Sequence, residues 1–159
     1  MMDQTPKTIL VICMRRLGDV LLATPLLHTL RQAFPHARID VLIFASTRSI
    51  VARNTDIDQI LTIEEQPTFW QHLAFLRRIW RQYDWAISTQ NGDRPTFYAF
   101  VAGRYRIGLA DERHPFKQKL LHKAIPFDDE QTHTVRMNLA LAHSLGLPLD
   151  GTVMAGFND

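Results

Sequence analysis

The chain has 159 residues, 46% of them hydrophobic. That is enough for one domain with a full core and too apolar for a disordered segment. Lys+Arg 18 against Asp+Glu 16 leave a formal net charge of +2, too mild to argue for a nucleic-acid partner.

The opening "MMDQTPK" is polar and lacks the apolar centre of a secretory leader. Cys13 is the one cysteine, so no disulfide framework forms within the chain, and a reducing compartment is expected. "TILVIC", residues 8–13, is a continuous β-rich apolar run of the kind covered on both faces of a sheet. "GDVLLATPLLHTLRQAF" then follows helical spacing through Leu17, Val20, Thr24, Leu27, Leu30 and Phe34. Pro25 interrupts it. Either the helix kinks there, or Thr24 caps a second helical segment with Pro25 at its first position. Val20 to Leu27 is the longest apolar stretch, far short of the roughly 18 residues of a membrane span.

"ARIDVLIFA" is a second strand, "STRSIVARN" a short helix and "IDQILTIE" a third strand. "PTFWQHLAFLRRIWRQY" is the clearest helix. Thr68 and Gln71 match a capping box, and Phe69, Leu73, Leu76 and Trp80 lie along one face. "DWAIST" is a fourth strand, "RPTFYAFVAG" a helix ending near Gly103, and "RYRIGL" a fifth strand. Residues 110–128 form a loop rich in charge and proline, with a strand at "LLHKAIPF". "DEQTHTVRMNLALAHSLGLPL" closes as a helix with Gly146 as its C-cap. Alternation of strand and helix predicts a doubly wound α/β domain with a parallel sheet.

Ligands of open α/β sheets bind beyond the carboxyl ends of the strands. The loop "MRRLGD" opens there, after the first strand. Gly18 permits a tight turn and close approach of a ligand. Arg15 and Arg16 suit a phosphate or carboxylate. Asp19 stands at a helix start, where a carboxylate either caps the helix or accepts a proton from a substrate hydroxyl. "STQNGDRPT" opens at the same edge after the fourth strand. Asn91, Asp93 and Arg94 either contact hydroxyls or anions of a ligand, or form an Asn-Gly turn with Asp93 or Thr96 capping the next helix. No G-x-G-x-x-G follows the first strand, so a dinucleotide fingerprint is absent.

Other groups carry blander readings. Arg77, Arg78 and Arg81 read as a solvated face near a helix end, against contact with acidic groups of a substrate. Arg48 follows the second strand and faces the same edge. Arg113, His114, Lys117 and Lys119 read as a surface loop, against a substrate flap. The seven histidines show no metal-ligand spacing. Trp70, Trp80 and Trp85 are expected to pack in the core rather than stack on a ligand.

"ILVICMRRLGDVLLATPLLHTLRQAFPHARIDVLI" resembles the N-terminal segment of the bacterial heptosyltransferases of glycosyltransferase family nine. The shared pattern is a strand, a basic or polar loop, Gly-Asp, an apolar stretch with Thr-Pro, and a helix ending before the second strand. "RYRIGL" resembles the family's Arg-Ile-Gly strand, and "HTVRMNLALAHSLGL" its later helix. The likeness runs over residues 8–148.

The resemblance implies a Rossmann-like domain, the N-terminal half of a glycosyltransferase-B architecture. Residues 1–150 would form the acceptor-binding domain and 151–159 the start of a linker. A further domain, outside these residues, would hold the nucleotide sugar. The family transfers heptose from ADP-heptose to the lipopolysaccharide inner core, with no cofactor and no metal. The implied setting is the cytoplasm, peripheral to the inner membrane, with Kdo/heptose-lipid A as acceptor. Asp19 matches the family's general base in an inverting displacement. The 159 residues alone are expected to bind acceptor without turnover. Two other readings stay open: a non-catalytic ligand-binding or scaffold module of the same fold, and a different nucleotide-binding α/β enzyme, which the missing phosphate fingerprints disfavour.

Overall fold

Apolar runs that alternate with helices build a sheet covered on both sides. The computed structural model describes residues 5–14, 23–89, 93–110 and 120–126. The elements are β1 (Thr8–Ile12), α1 (Thr24–Ala33), β2 (Arg38–Phe44), a 3-10 turn (Ala45–Thr47) running into the single-turn α2 (Arg48–Val51), and β3 (Gln59–Ile63). After them come α3 (Phe69–Ile79), β4 (Tyr83–Ser88), α4 (Asp93–Ala102), β5 (Gly103–Ala110) and β6 (Lys123–Pro126). The sheet order is β3-β2-β1-β4-β5-β6, and each of these pairings is parallel. This is the doubly wound arrangement expected from the strand–helix alternation. Among the described residues no helix is long and apolar enough to cross a membrane. The closing helix around "HTVRMNLALAHSLGL" and the residue 151–159 segment lie outside the described residues.

The period of two along each strand splits the core into two layers. On one face Ile9, Val11, Ile39, Val41, Ile43 and Ile87 pack with Leu26, Leu27 and Leu30 of α1. On the other Leu10, Ile12, Leu42, Leu61 and Ala86 pack with Phe75 and Ile79 of α3 and Tyr98 and Ala99 of α4. Trp85 is buried as expected, its ring edge-on to Phe34 at 5.3 Å.

Pro25 lies in the first turn of α1, where a missing N–H breaks no helical bond. Ala23 precedes the helix, and its carbonyl accepts from the N–H groups of Leu26 and Leu27. The proline thus sits in a first turn, as one of the two sequence alternatives has it. Thr24 is inside the helix, not its cap. The capping box of α3 is formed as expected: the Gln71 N–H donates to Thr68 Oγ1 at 3.2 Å, and the Thr68 N–H donates to Gln71 Oε1 at 3.0 Å.

The buried face of α3 differs from the expected one. Phe75 and Ile79 face the core and Leu76 of the expected face packs partly against it, while Phe69 is 71% exposed, Trp70 74%, Leu73 38% and Trp80 56%. The helix carries more apolar surface than one contact stripe can cover. Tyr98 of α4 selects the Phe75 side, the two rings meeting edge-on at 5.5 Å. Core packing is therefore wrong for Trp70 and Trp80.

One carboxyl group is sealed inside the second layer. Asp40 is fully buried in β2. Its Oδ2 accepts from the Tyr83 hydroxyl at 2.6 Å and from Arg38 Nε at 3.2 Å, while Oδ1 has no partner. Burial pushes the Asp40 carboxyl above its ordinary range, against the pull of Tyr83 and Arg38. Burial and the adjacent Asp40 carboxylate also push the Tyr83 phenol upward. Between the unfolded and folded values of Asp40 the folded chain binds more protons, so this group's contribution to stability falls as pH rises through that window. Asp40→Asn keeps an acceptor for Tyr83 and removes the titration. Its urea midpoint should therefore gain on the parent chain as pH is raised from 4 to 7. A difference that stays constant with pH would contradict the assignment.

Candidate functional site at the carboxyl edge of the sheet

In a doubly wound sheet the crevice opens where successive connections leave to opposite faces. Here that point is between β1 and β4. The helix after β1, α1, packs in one core layer, and the helix after β4, α4, packs in the other. The two strand ends are pinned together. The Thr89 N–H donates to the Ile12 carbonyl at 3.1 Å, and Thr89 Oγ1 donates to the same oxygen at 2.8 Å. On the other side the Cys13 N–H donates to the Leu42 carbonyl at 2.9 Å. Cys13, Met14, Ser88 and Thr89 are all buried. The chain thus leaves β1 after Met14 and β4 after Thr89 side by side at the switch point.

Both loops singled out from sequence start there. Arg15, Arg16, Gly18 and Asp19 of the first loop and Asn91 of the second lie outside the described residues. Asp93 opens α4 in an exposed position, where the helix dipole favours a carboxylate. Thr96 is buried within α4 and does not cap it.

Arg94 sits at the same edge and braces it. Its Nη1 donates to the Glu65 carbonyl at 2.7 Å, Nη2 to the Glu64 carbonyl at 3.0 Å and Nε to the Tyr98 hydroxyl at 2.9 Å. The guanidinium also lies 5.4 Å from the centre of the Phe44 ring and 5.6 Å from that of Tyr98. One side chain ties the segment after β3 to the first turn of α4.

That segment shapes a cleft. Ala45, Ser46, Glu64, Glu65 and Gln66 line about 390 Å³ beyond the carboxyl ends of β2 and β3. A smaller hollow of about 200 Å³ adjoins it along Pro67, Gln71 and Phe75. Carboxylates, a hydroxyl and an amide offer acceptors and donors for sugar hydroxyls and repel phosphate. Sequence reading passed over Ser46, Glu64, Glu65 and Gln66. The signal for them was their place just after the second and third strands.

A slightly larger hollow, about 410 Å³ by Thr5, Lys7, Asp84, Arg104 and Tyr105, opens at the amino edge of the sheet. Its position, remote from the switch point, argues against the main site. Arg48, Arg77 and Arg78 are exposed, and Arg81 is half-buried. Arg113, His114, Lys117 and Lys119 lie outside the described residues. Among the described residues no three His, Cys, Asp or Glu side chains are grouped to hold a metal ion.

No protein-family model matches the chain. Over 53 residues, 33% of this chain, it is 40% identical to lipopolysaccharide heptosyltransferase 3 of Escherichia coli K12, of which the match spans 15%. Its fold superposes on E. coli heptosyltransferase WaaC with ADP-2-deoxy-2-fluoro heptose at a TM-score of 0.76 and 20% identity, over 91% of this chain and 50% of that one. The glycosyl transferase family 9 protein of Veillonella parvula gives a TM-score of 0.75 at 23% identity, over 92% and 42%. ADP-heptose lps heptosyltransferase II of E. coli gives 0.66 at 25% identity, over 85% and 40%. The chain spans half or less of the length of these solved relatives. The chain thus shares its fold with solved heptosyltransferases over most of its length, and over 53 residues it is similar in sequence to heptosyltransferase 3.

Proposed function

We propose that this chain is the acceptor-side domain of a glycosyltransferase that adds heptose to the inner core of lipopolysaccharide, with ADP-heptose as donor. The observation that carries the reading is the 40% identity to heptosyltransferase 3 over 53 residues, a third of this chain. The doubly wound fold supports it: the described chain leaves β1 at Met14, beside the switch point and just ahead of "RRLGD" in sequence. Residues 1–150 would form the acceptor domain and 151–159 begin the connection to a donor-binding domain. The setting would be the cytoplasmic face of the inner membrane.

Asp19 takes the proton from an acceptor hydroxyl. The freed oxygen attacks the anomeric carbon from the face opposite the diphosphate, and a new glycosidic bond forms with inversion. The old carbon–oxygen bond breaks and its electron pair leaves with ADP. Arg15 and Arg16 hold acidic groups of the acceptor, and Gly18 lets the backbone approach it. Asn91 and Asp93 meet sugar hydroxyls from the facing loop, and Arg94 ties the first turn of α4, where that loop ends, to the Glu64–Glu65 segment. The departing diphosphate is stabilised by cations or a helix N-terminus of the donor-binding domain.

ADP release from ADP-heptose tests the reading, measured with the protein that carries this chain and a series of truncated core acceptors. Release that depends on one acceptor of the series is expected. The 159 residues alone should bind that acceptor in calorimetry without turning it over. Acceptor binding with no ADP release from the complete protein would favour the non-catalytic module instead.

A further inference from the structure

The exposed stripe of α3 has a chemistry of its own. Phe69 and Trp70 meet edge-on at 5.2 Å and stand almost free of the core. Leu73 and Trp80 continue the stripe at helical spacing. Soluble domains seldom leave this much aromatic surface together on one element. Along the helix itself the charge has one sign. From Gln66 to Tyr83 the sequence holds Arg77, Arg78 and Arg81 and no carboxylate. Arg77 and Arg78 are exposed beside the stripe. The Arg81 guanidinium lies 5.5 Å from the centre of the Trp80 ring, with its backbone in the left-handed region at φ 54°. The exposed Phe97 lies on α4, the helix that packs beside α3.

We infer that α3 is a membrane-docking surface, and that the occupant of its exposed stripe is a bilayer bearing anionic lipid. Tryptophan and phenylalanine favour the boundary between headgroups and acyl chains, and arginines beside them pair with lipid phosphates. The absence of carboxylates between Gln66 and Tyr83 fits a negatively charged partner. A second copy of this chain would bring the same arginines against themselves. The inference rests on α3 alone and not on the transferase reading. If both hold, the surface that docks is next in sequence to the cleft residues Glu64–Gln66.

The test uses the 159-residue chain with vesicles of phosphatidylcholine, with and without phosphatidylglycerol. Co-sedimentation should be strong with the anionic vesicles, weak with the neutral ones, and lower in high salt. Emission from Trp70 and Trp80 should shift to the blue on binding, over the constant background of buried Trp85. Phe69→Ala/Trp70→Ala should abolish the blue shift and most of the binding. Arg77→Gln/Arg78→Gln should weaken binding by roughly fivefold for each arginine removed. Circular dichroism should show both variants folded, because the replaced side chains are exposed. The inference is overturned if the parent chain does not bind anionic vesicles. It is equally overturned if both double variants bind like the parent, or if the chain is a dimer that Phe69→Ala/Trp70→Ala dissociates. A failed vesicle assay leaves the ADP-release assay untouched, so the two readings fall separately.

Discussion

Asp19→Asn in the protein that carries this chain is expected to slow the proposed heptosyl transfer by about a hundredfold to ten-thousandfold. ADP-heptose affinity is expected to stay within about twofold, because the substitution removes only an interaction with the acceptor proton. Asparagine is chosen for a physical reason. At a helix start it caps about as well as aspartate, so a role confined to capping predicts little change in rate or melting temperature. A base cannot be replaced this way, since the amide oxygen holds no proton at neutral pH. The measurement is kcat from ADP release, with donor Kd from calorimetry and a thermal melt of the same sample. A near-normal kcat would assign Asp19 to the helix alone. Arg15→Ala and Arg16→Ala serve as the companion pair, with acceptor KM raised and the melt unchanged.

The sheet could be read from sequence because its strands are buried on both faces. Apolar-rich runs such as "TILVIC" and "ARIDVLIFA" have few other uses at that length, and even the short β6 at Lys123–Pro126 falls within the strand expected at "LLHKAIPF". The cap of α3 was legible for a related reason: Thr68 and Gln71 satisfy each other within one turn and need nothing distant. What sequence reading missed depends on partners far along the chain. The choice between the Phe69–Leu73 side and the Phe75–Ile79 side of α3 is made by Tyr98. The fate of Arg94 is decided by the carbonyls of Glu64 and Glu65. Asp40 inside "RIDVLIF" is tolerable only because Tyr83 reaches it from another strand.

The same distinction runs through the candidate site. Its place was legible, because the edge where ligands bind follows from the strand order. Its lining was not. Glu64 and Glu65 look like ordinary strand-end charges until Arg94 grips their carbonyls and fixes the segment that borders the cleft. Arg94 therefore bears on the site through shape as well as charge.

The junction between α4 and β5 should be the least forgiving point of the described fold. A Cβ built on Gly103 would stand 2.5 Å from Ala86 Cβ, 2.9 Å from the Ala86 backbone nitrogen and 3.2 Å from the Tyr105 carbonyl oxygen. Two of those three atoms are backbone, and Ala86 is fully buried in β4, the strand that pairs with β5. No rotamer change relieves the clash, so the strands themselves must part. Gly103→Ala is expected to cost about 3 kcal/mol, at the upper end of the usual overpacking penalty, and to lower the urea midpoint without changing the m-value. Gly108 in the same strand provides the control. There the new methyl would meet Leu121 Cδ1 at 3.1 Å, Leu121 Cδ2 at 3.2 Å and Ser88 Cβ at 3.3 Å. Leu121 can turn aside, so Gly108→Ala should cost about 1 kcal/mol or less. Equal losses for the two variants would mean that β5 responds to lost glycine flexibility in general. A loss confined to Gly103 would assign the effect to the close approach of Ala86.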